Sequence, residues 1–168
     1  MSFQVNDQPP TVTITEENVS AEIALVGPVP TVENYTTSGG TDGTQPTFTG
    51  DPLFTAQYVR VGDLVHFEIQ IDFDNITSFG TGQYFVTLPF NSLRPILFRG
   101  GSLHDVDLNR QYHISGHVDA GSTTIQLFTT DITGQTVLDY PFTSIEPVTL
   151  TTADDFHISG DYIAEPLP

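Results

Sequence analysis

Hydrophobic and polar residues alternate strictly along one stretch of the chain, residues 64–74. The odd-numbered positions from 65 to 73 are all valine, isoleucine or phenylalanine, and the even-numbered positions from 66 to 74 are all polar or charged. A period of two residues puts successive side chains on opposite faces of a β-strand. The pattern therefore predicts a long strand with one buried face and one face in water.

The same alternation recurs elsewhere between turn residues. Residues 54–60 precede a Val-Gly-Asp turn and are expected to form a hairpin with the strand at 64–74. No segment shows a helical period longer than two turns. Many short strands at this spacing predict an antiparallel β-sandwich or barrel. The other predicted strands are residues 11–15, 19–26, 83–88, 96–103, 111–118, 123–130, 148–150 and 156–163.

Two of these strands carry nearly the same motif. Residues 112–116 read YHISG and residues 156–160 read FHISG. Two copies do not make a repeat protein, so we interpret them as strands in similar environments. Gly160 is expected to permit close approach of another chain segment within its strand.

The first third of the chain has a different composition. Residues 1–57 contain no basic residue, and residues 36–45 are rich in glycine and threonine, which is typical of a linker or long loop. We therefore expect an anchoring arm and linker over residues 1–44 and a β-domain over residues 45–168. The arm is too short to hold a core of its own, so it either folds back on its own domain or adds strands to a partner. The predicted anchor contacts are Val12, Ile14, Ile23 and Leu25.

Composition and charge exclude several classes of function. The chain has 168 residues, with 21 Asp and Glu against 4 arginines and no lysine, for a net charge of −17. A nucleic-acid partner or an anionic membrane surface requires clustered positive charge, so neither is expected. No cysteine is present, which excludes disulfides, thiol nucleophiles and cysteine-ligated zinc. With 38% hydrophobic residues, the chain is not a disordered acidic tail.

Four motifs stand in a fixed order in the last two thirds of the chain. They are PTFTG at residues 46–50, YVRVGDLV at 58–65, LPF at 88–90 and FHISGDY at 156–162. In this order and spacing they resemble the C-terminal β-domains of tailed-bacteriophage virion proteins, which occur on tail fibres and other surface appendages. The resemblance covers about residues 45–163.

The resemblance implies an all-β fold, an antiparallel jelly roll of the tumour-necrosis-factor-like type that usually trimerises and has no enzymatic activity. Only about 45 residues precede the domain, without a shaft or heptads, which favours a compact capsid decoration knob. The implied partners are further copies of the chain and the major capsid or tail proteins. With no signal peptide visible, the expected location is the virion surface after assembly in the host cytoplasm. The alternative is a tail-fibre or receptor-binding tip that recognises a host cell-surface glycan.

Candidate metal ligands are present without a metal-binding motif. His113, Ser115 and His117 share one strand face by their spacing, yet a metal would need a third ligand from another element. Residues 72–75 and 104–107 each carry two carboxylates, but neither matches an EF-hand loop. No cofactor is therefore predicted, and calcium stays open as an alternative.

Catalytic motifs are also missing from the sequence. It contains no Gly-x-Ser-x-Gly elbow and no glycine-rich phosphate loop, so no enzymatic activity is predicted, and a hydrolase is kept only as a third alternative. The tyrosines carry more information. Most are expected in the core or in subunit contacts, whereas an exposed tyrosine with acidic neighbours would suit sugar binding.

Overall fold

A computed structural model of the chain describes residues 11–16, 19–24, 30–50, 53–133 and 136–167. It divides into two compact units, Met1–Thr31 and Val32–Pro168. In the described ranges all regular structure is β-strand, and no helix is long and apolar enough to cross a membrane. The strands are β1 (Thr11–Glu16), β2 (Val19–Ala24), β3 (Glu33–Asn34), β4 (Gly39–Thr41), β5 (Thr47–Phe48), β6 (Leu53–Val61), β7 (Leu64–Asp72), β8 (Ile76–Ser78), β9 (Tyr84–Thr87), β10 (Ile96–Asp105), β11 (Arg110–Val118), β12 (Thr124–Thr133), β13 (Thr136–Pro141) and β14 (Asp155–Ile163).

One antiparallel sheet dominates the second unit. Its strand order is β3-β6-β7-β14-β10-β11-β12-β9-β4, and β13 pairs with the later half of β12. The sheet curls so that its concave face encloses the core, and β5 and β8 form a separate two-stranded ladder. The prediction of an all-β antiparallel fold is confirmed, and the curled sheet is consistent with a jelly roll or β-sandwich.

The predicted hairpin is present where the alternation is strongest. β6 and β7 pair over their whole length, from Val61 opposite Leu64 to Leu53 opposite Asp72. In β7 the positions from Val65 to Ile71 that were predicted to be apolar are buried, and the polar positions between them are exposed. The hydrophobic face of this strand therefore forms one wall of the core, as period two requires.

Aromatic side chains fill much of that core. The ring centroids of Phe67 and Phe98 lie 4.9 Å apart in an edge-to-face arrangement, and Tyr162 packs 6.1 Å from Phe67. Phe142 stacks on Phe156 at 5.8 Å. Each such pair contributes about 0.5–1.5 kcal/mol beyond the area it buries. The core therefore joins β7, β10 and β14 with the segment after β13.

Residues 39–41, within the run 36–45 that was predicted to be a linker or long loop, form strand β4 of the main sheet. Strands β3 and β4 join the main sheet by pairing with β6 and β9, and Thr41 is only 1% exposed. Gly39 and Gly40 serve close packing here, since added Cβ atoms would lie 3.3 Å from the ring of Phe54 and 3.1 Å from the ring of Phe85. The second compact unit, which contains these strands, begins at Val32.

Two smaller expectations also differ from the structure. Residues 148–150 form no strand, although Leu150 is buried and its N–H donates to the carbonyl of Ser144 at 2.9 Å. Strand β12 extends three residues beyond the predicted strand at 123–130 and pairs with β13, a strand that the sequence pattern did not reveal.

Candidate functional site

The first unit contains a hairpin that carries three of the four predicted anchor residues. β1 pairs with β2 so that Val12 lies opposite Ile23 and Ile14 lies opposite Ala21. Opposite positions and alternate positions share one side of a β-ribbon, so these four positions form one apolar row. Leu25 lies outside the described residues. Because an isolated two-stranded hairpin is only marginally stable in water, the hairpin needs a surface to cover this row.

All five histidines of the chain lie on the outer face of the main sheet, away from the core. Three of them form hydrogen bonds to carboxylates of neighbouring strands and so connect β14 to β7 and to β10. These side chains are partly or largely exposed, and such pairs stabilise a fold by about 0–1 kcal/mol each. The bonded atoms are His66 Nδ1 and Asp161 Oδ1 at 2.9 Å, His104 Nδ1 and Asp155 Oδ2 at 3.3 Å, and His157 Nε2 and Glu68 Oε1 at 3.1 Å.

The two remaining histidines are the ones that the sequence placed together. His113 and His117 share the outer face of β11 with Ser115, which is buried between them. Nowhere in the described ranges do three or more His, Asp or Glu side chains come together in a way that could hold a metal ion. Near these residues the structure offers no third ligand, and a metal site would need one from outside the described chain.

The acidic segments considered for calcium use carboxylates to hold turns. Asp72 Oδ1 accepts the N–H of Asp74 at 2.9 Å, and Asp105 Oδ1 accepts the N–H of Leu108 at 2.9 Å. Asp74 is exposed, whereas Asp105 is buried. Asp72 and Asp105 therefore cap turns, which is a common role of Asp in loops, and the second carboxylate of each pair faces solvent.

An exposed apolar patch lies at the end of the sheet where β6 turns into β7. We define the apolar patch as Val61, Leu64, Leu93 and Ile163. Val61 lies opposite Leu64, Leu64 lies opposite Ile163, and the N–H of Leu93 donates to the carbonyl of Ile163 at 2.8 Å. A groove of about 290 Å³ runs beside it, lined by Leu64, Ser92, Arg94, Pro95, Ile96, Asp161, Tyr162 and Ile163. Val61, Leu64 and Leu93 are each about half exposed, and Ile163 is partly buried.

A second, larger groove lies toward the opposite end of β11. We define the tyrosine groove by its lining residues, and its volume is about 610 Å³. Tyr140 is 44% exposed and Tyr112 is half-buried, so both rings remain accessible beside the open space. The lining residues are Tyr112, Thr129, Tyr140, Pro141, Thr143, Glu146 and Pro147. The tyrosine groove brings aromatic, hydroxyl and carboxylate groups together around a volume of ligand size.

The loop that forms one wall of the tyrosine groove is fixed by its own hydrogen bonds. Thr143 N donates to the carbonyl of Glu146 at 3.1 Å, and Thr143 Oγ1 accepts the N–H groups of Ile145 at 3.3 Å and Glu146 at 3.1 Å. Across the groove, Thr129 lies directly opposite Tyr140 in the β12–β13 ladder. Both walls are therefore held by backbone structure, which leaves the groove preformed.

The other tyrosines have structural roles. Burial raises the pKa of Tyr35 and of Tyr84 and raises the pKa of Tyr162 to about 12, although the N–H of Phe90 opposes the shift of Tyr162. Tyr162 Oη also donates to the carbonyl of Phe90 at 3.1 Å. The expectation that most tyrosines belong to the core therefore fits the structure.

Neither the apolar patch nor the tyrosine groove is evident from the sequence. Tyr112 and Tyr140 occur in strand-like segments that resemble those of the buried tyrosines, and only the register of β11, β12 and β13 brings them together. The sequence signal that could have identified Tyr140 is its place between Asp139 and Pro141, a combination typical of a strand end. No protein-family model matches the chain, and neither a curated protein nor a solved structure matches it significantly.

Proposed function

We propose that the chain is a non-enzymatic structural protein of a bacteriophage virion, a surface knob that its N-terminal arm attaches to the capsid. The observation that carries the proposal is the division of the chain at Thr31 into a compact antiparallel β-unit and a separate unit with an apolar-sided hairpin. The four sequence motifs, which resemble those of virion appendage domains, supply the assignment to a phage particle.

The arm attaches by hydrophobic docking in this proposal. The row formed by Val12, Ile14, Ala21 and Ile23 is covered by a major capsid or tail protein, and the open edges of β1 and β2 offer strand addition. Four acidic residues and no basic residue occur in the first 31 positions, so the receiving surface is expected to be neutral or basic.

The knob forms a trimer in this proposal, and the apolar patch is the surface that supports self-association. The chain is acidic enough that copies repel each other in water. Burial of exposed aliphatic groups must therefore supply the attraction, and Val61, Leu64 and Leu93 are about half exposed.

Particle binding tests the anchor. Virions assembled without the protein are mixed with the full chain, with a chain that begins at Val32, and with the double variant Val12→Asp/Ile23→Asp, and bound protein is measured after sedimentation. The double variant Thr13→Asp/Thr15→Asp is the matched control, since it adds the same charge at positions on the other side of the hairpin. We expect the full chain and the control to bind and the other two to stay in solution. Equal binding by the chain that begins at Val32 would overturn the anchor.

The second candidate function is a tail-fibre or receptor-binding tip that recognises a host glycan. The tyrosine groove favours it, because its accessible aromatic rings suit a saccharide better than a protein interface core. Imaging of the labelled protein on the assembled particle separates the candidates. Label over the whole head supports decoration, and label at the tail alone supports the receptor-binding tip.

A further inference from the structure

We infer that the tyrosine groove is a binding site for a neutral saccharide of about two pyranose rings. The inference rests on the second candidate function proposed above and deepens it, because it names the chemical class of the ligand for the same groove.

The size and lining of the groove are those of a small-ligand site. Its volume of about 610 Å³ falls within the roughly 300–1,000 Å³ typical of ligand pockets. Tyr112 comes from β11 and Tyr140 from β13, and the buried Thr129 lies between them on β12. Two rings on separate strands with a recessed floor offer stacking surfaces for the apolar C–H faces of a sugar.

The polar groups of the groove are free to bind a ligand. Within the described part of the chain, the hydroxyls of Tyr112 and Tyr140 and the carboxylate of Glu146 make no hydrogen bond. Tyrosine hydroxyls both donate and accept, and a carboxylate accepts two or more hydrogen bonds. A saccharide presents several hydroxyl groups of both kinds, so it can pair with all three side chains.

Both walls of the tyrosine groove are already ordered without a ligand. Such a groove can bind a saccharide even though each single contact contributes little binding energy. The N–H of Glu146 donates to Thr143 Oγ1, which fixes the position from which the carboxylate extends. Tyr140 is held opposite Thr129 by the sheet ladder. Since neither wall has to be ordered on binding, less of the interaction energy is lost to entropy.

Electrostatics select against charged sugars of the common acidic type. Glu146 lines the groove, and the chain carries a net charge of −17. Of the four arginines, Arg94 lines the smaller groove, and Arg110 lies on β11 two positions before Tyr112 without lining the tyrosine groove. A sialic acid or a uronic acid would therefore be repelled, whereas a neutral hexose or N-acetylhexosamine would not.

Calorimetric titration of the full chain with cellobiose, maltose, lactose and N,N′-diacetylchitobiose tests the inference, with sialyllactose as the anionic comparison. At least one neutral disaccharide is expected to bind, and sialyllactose is expected to bind at least tenfold more weakly than lactose or not at all. Failure of all four neutral disaccharides would overturn the site. Equal binding of lactose and sialyllactose would overturn the selection by charge.

Variants locate the binding. Tyr140→Ala is expected to weaken the affinity for the best disaccharide at least tenfold, and Tyr140→Phe only a few-fold, because the phenyl ring is retained. Glu146→Gln should weaken the binding of neutral disaccharides, and it should also reduce the difference in affinity between lactose and sialyllactose. Tyr58→Phe, which removes a phenol hydroxyl on β6, is the control and should change nothing. If Tyr140→Ala binds the disaccharide as tightly as the original chain, the saccharide binds elsewhere and the inference is overturned. Attachment of the same variant to particles tests the anchor separately.

Discussion

A methyl group added to Gly160 would lie 2.5 Å from Cδ1 of Phe98, so the ring of Phe98 occupies the space that any side chain at position 160 would need. Phe98 belongs to β10, which pairs with β14 on one side and β11 on the other. Gly116 of β11 lies directly opposite Phe98, and its added Cβ would be 3.7 Å from the other edge of the same ring. The two HISG motifs thus flank one strand, and both of their glycines border one aromatic ring.

Gly160→Ala is predicted to destabilise the β-unit by about 1–3 kcal/mol, the usual range for overpacking a well-filled core. Gly160→Ala should cost less stability in a chain that already carries Phe98→Leu than in the original chain, because the smaller leucine side chain removes the clash. Urea unfolding gives the free energies. Ser159→Ala, on the outer face of the same strand, is the control. Additive effects of the two substitutions would contradict the packing argument.

The strands predicted from alternation are the long ones with one face in the core. β7 is the clearest, because its pattern of valine, isoleucine and phenylalanine at every second position is decisive by itself. Strands β3, β4, β5 and β8 have two or three residues each, too few for a period to appear. The sequence did not reveal β4, since glycines such as Gly39 and Gly40 occur both in linkers and in tightly packed edge strands.

The candidate sites depend on register, which the sequence does not determine. The His113 and His117 pair was correctly placed on one face, yet the carboxylates that meet other histidines come from β7 and β14, far away in the chain. Tyr112 and Tyr140 likewise meet only because β12 lies between their strands. Long-range strand order fixes these neighbours, and local patterns carry no information about it.

Truncation distinguishes the two domain boundaries. A chain that begins at Val32 is predicted to keep the thermal midpoint of the full β-unit, whereas a chain that begins at Gln45 should melt at least several degrees lower. The shorter chain loses β3, β4 and the hydrogen bonds from Tyr35 Oη and Thr37 Oγ1 to the carbonyl of Thr87, at 3.1 and 2.9 Å. A loss of 1 kcal/mol lowers Tm by about 2–8 °C in domains of this size range. Equal thermal midpoints of the two truncated chains would instead support a domain boundary near residue 45.

Asp154 connects two loops through buried hydrogen bonds. It is 1% exposed, and its carboxylate accepts the N–H of Val106 at 3.2 Å and the N–H of Thr151 at 2.8 Å. Asp154→Ala leaves both donors without a partner and is predicted to cost about 1–3 kcal/mol for each donor that stays buried. Hydrogen exchange should accelerate at Val106 and Thr151. Asp107→Ala, at an exposed position of the same loop, serves as control, and equal effects of the two substitutions would refute the role of Asp154.

Alkaline pH is predicted to unfold the β-unit through its buried phenols. Burial raises the pKa of Tyr35 and of Tyr84, and it raises the pKa of Tyr162 to about 12, whereas a tyrosine in the unfolded chain titrates near 10. Between these values the folded state binds more protons than the unfolded state, so stability is full below about pH 10 and falls as the pH rises above it.

Urea midpoints at pH 9, 10 and 11, with tyrosinate absorbance near 295 nm, measure this dependence. Tyr162→Phe should be less stable at pH 9 because its hydrogen bonds with Phe90 are lost, yet its stability should fall less steeply above pH 10. Tyr140→Phe, which removes an exposed phenol, should keep the steepness of the original chain. If stability falls as steeply with pH in Tyr162→Phe as in the original chain, the Tyr162 phenol is not a source of the pH dependence.

Salt should promote assembly of the proposed trimer, because three copies at −17 each bring a charge of −51 together. The screening length falls from about 10 Å at 0.1 M to about 3 Å at 1 M ionic strength, which weakens repulsion and leaves hydrophobic attraction in place. Light scattering should therefore show a trimer fraction that rises with NaCl. Leu64→Asp in the apolar patch should keep the chain monomeric at all concentrations, while Leu108→Asp, at the equally exposed turn between β10 and β11, should not. A monomer throughout the series for the original chain would reject self-association, and the apolar patch would then have to be covered by a protein of the particle.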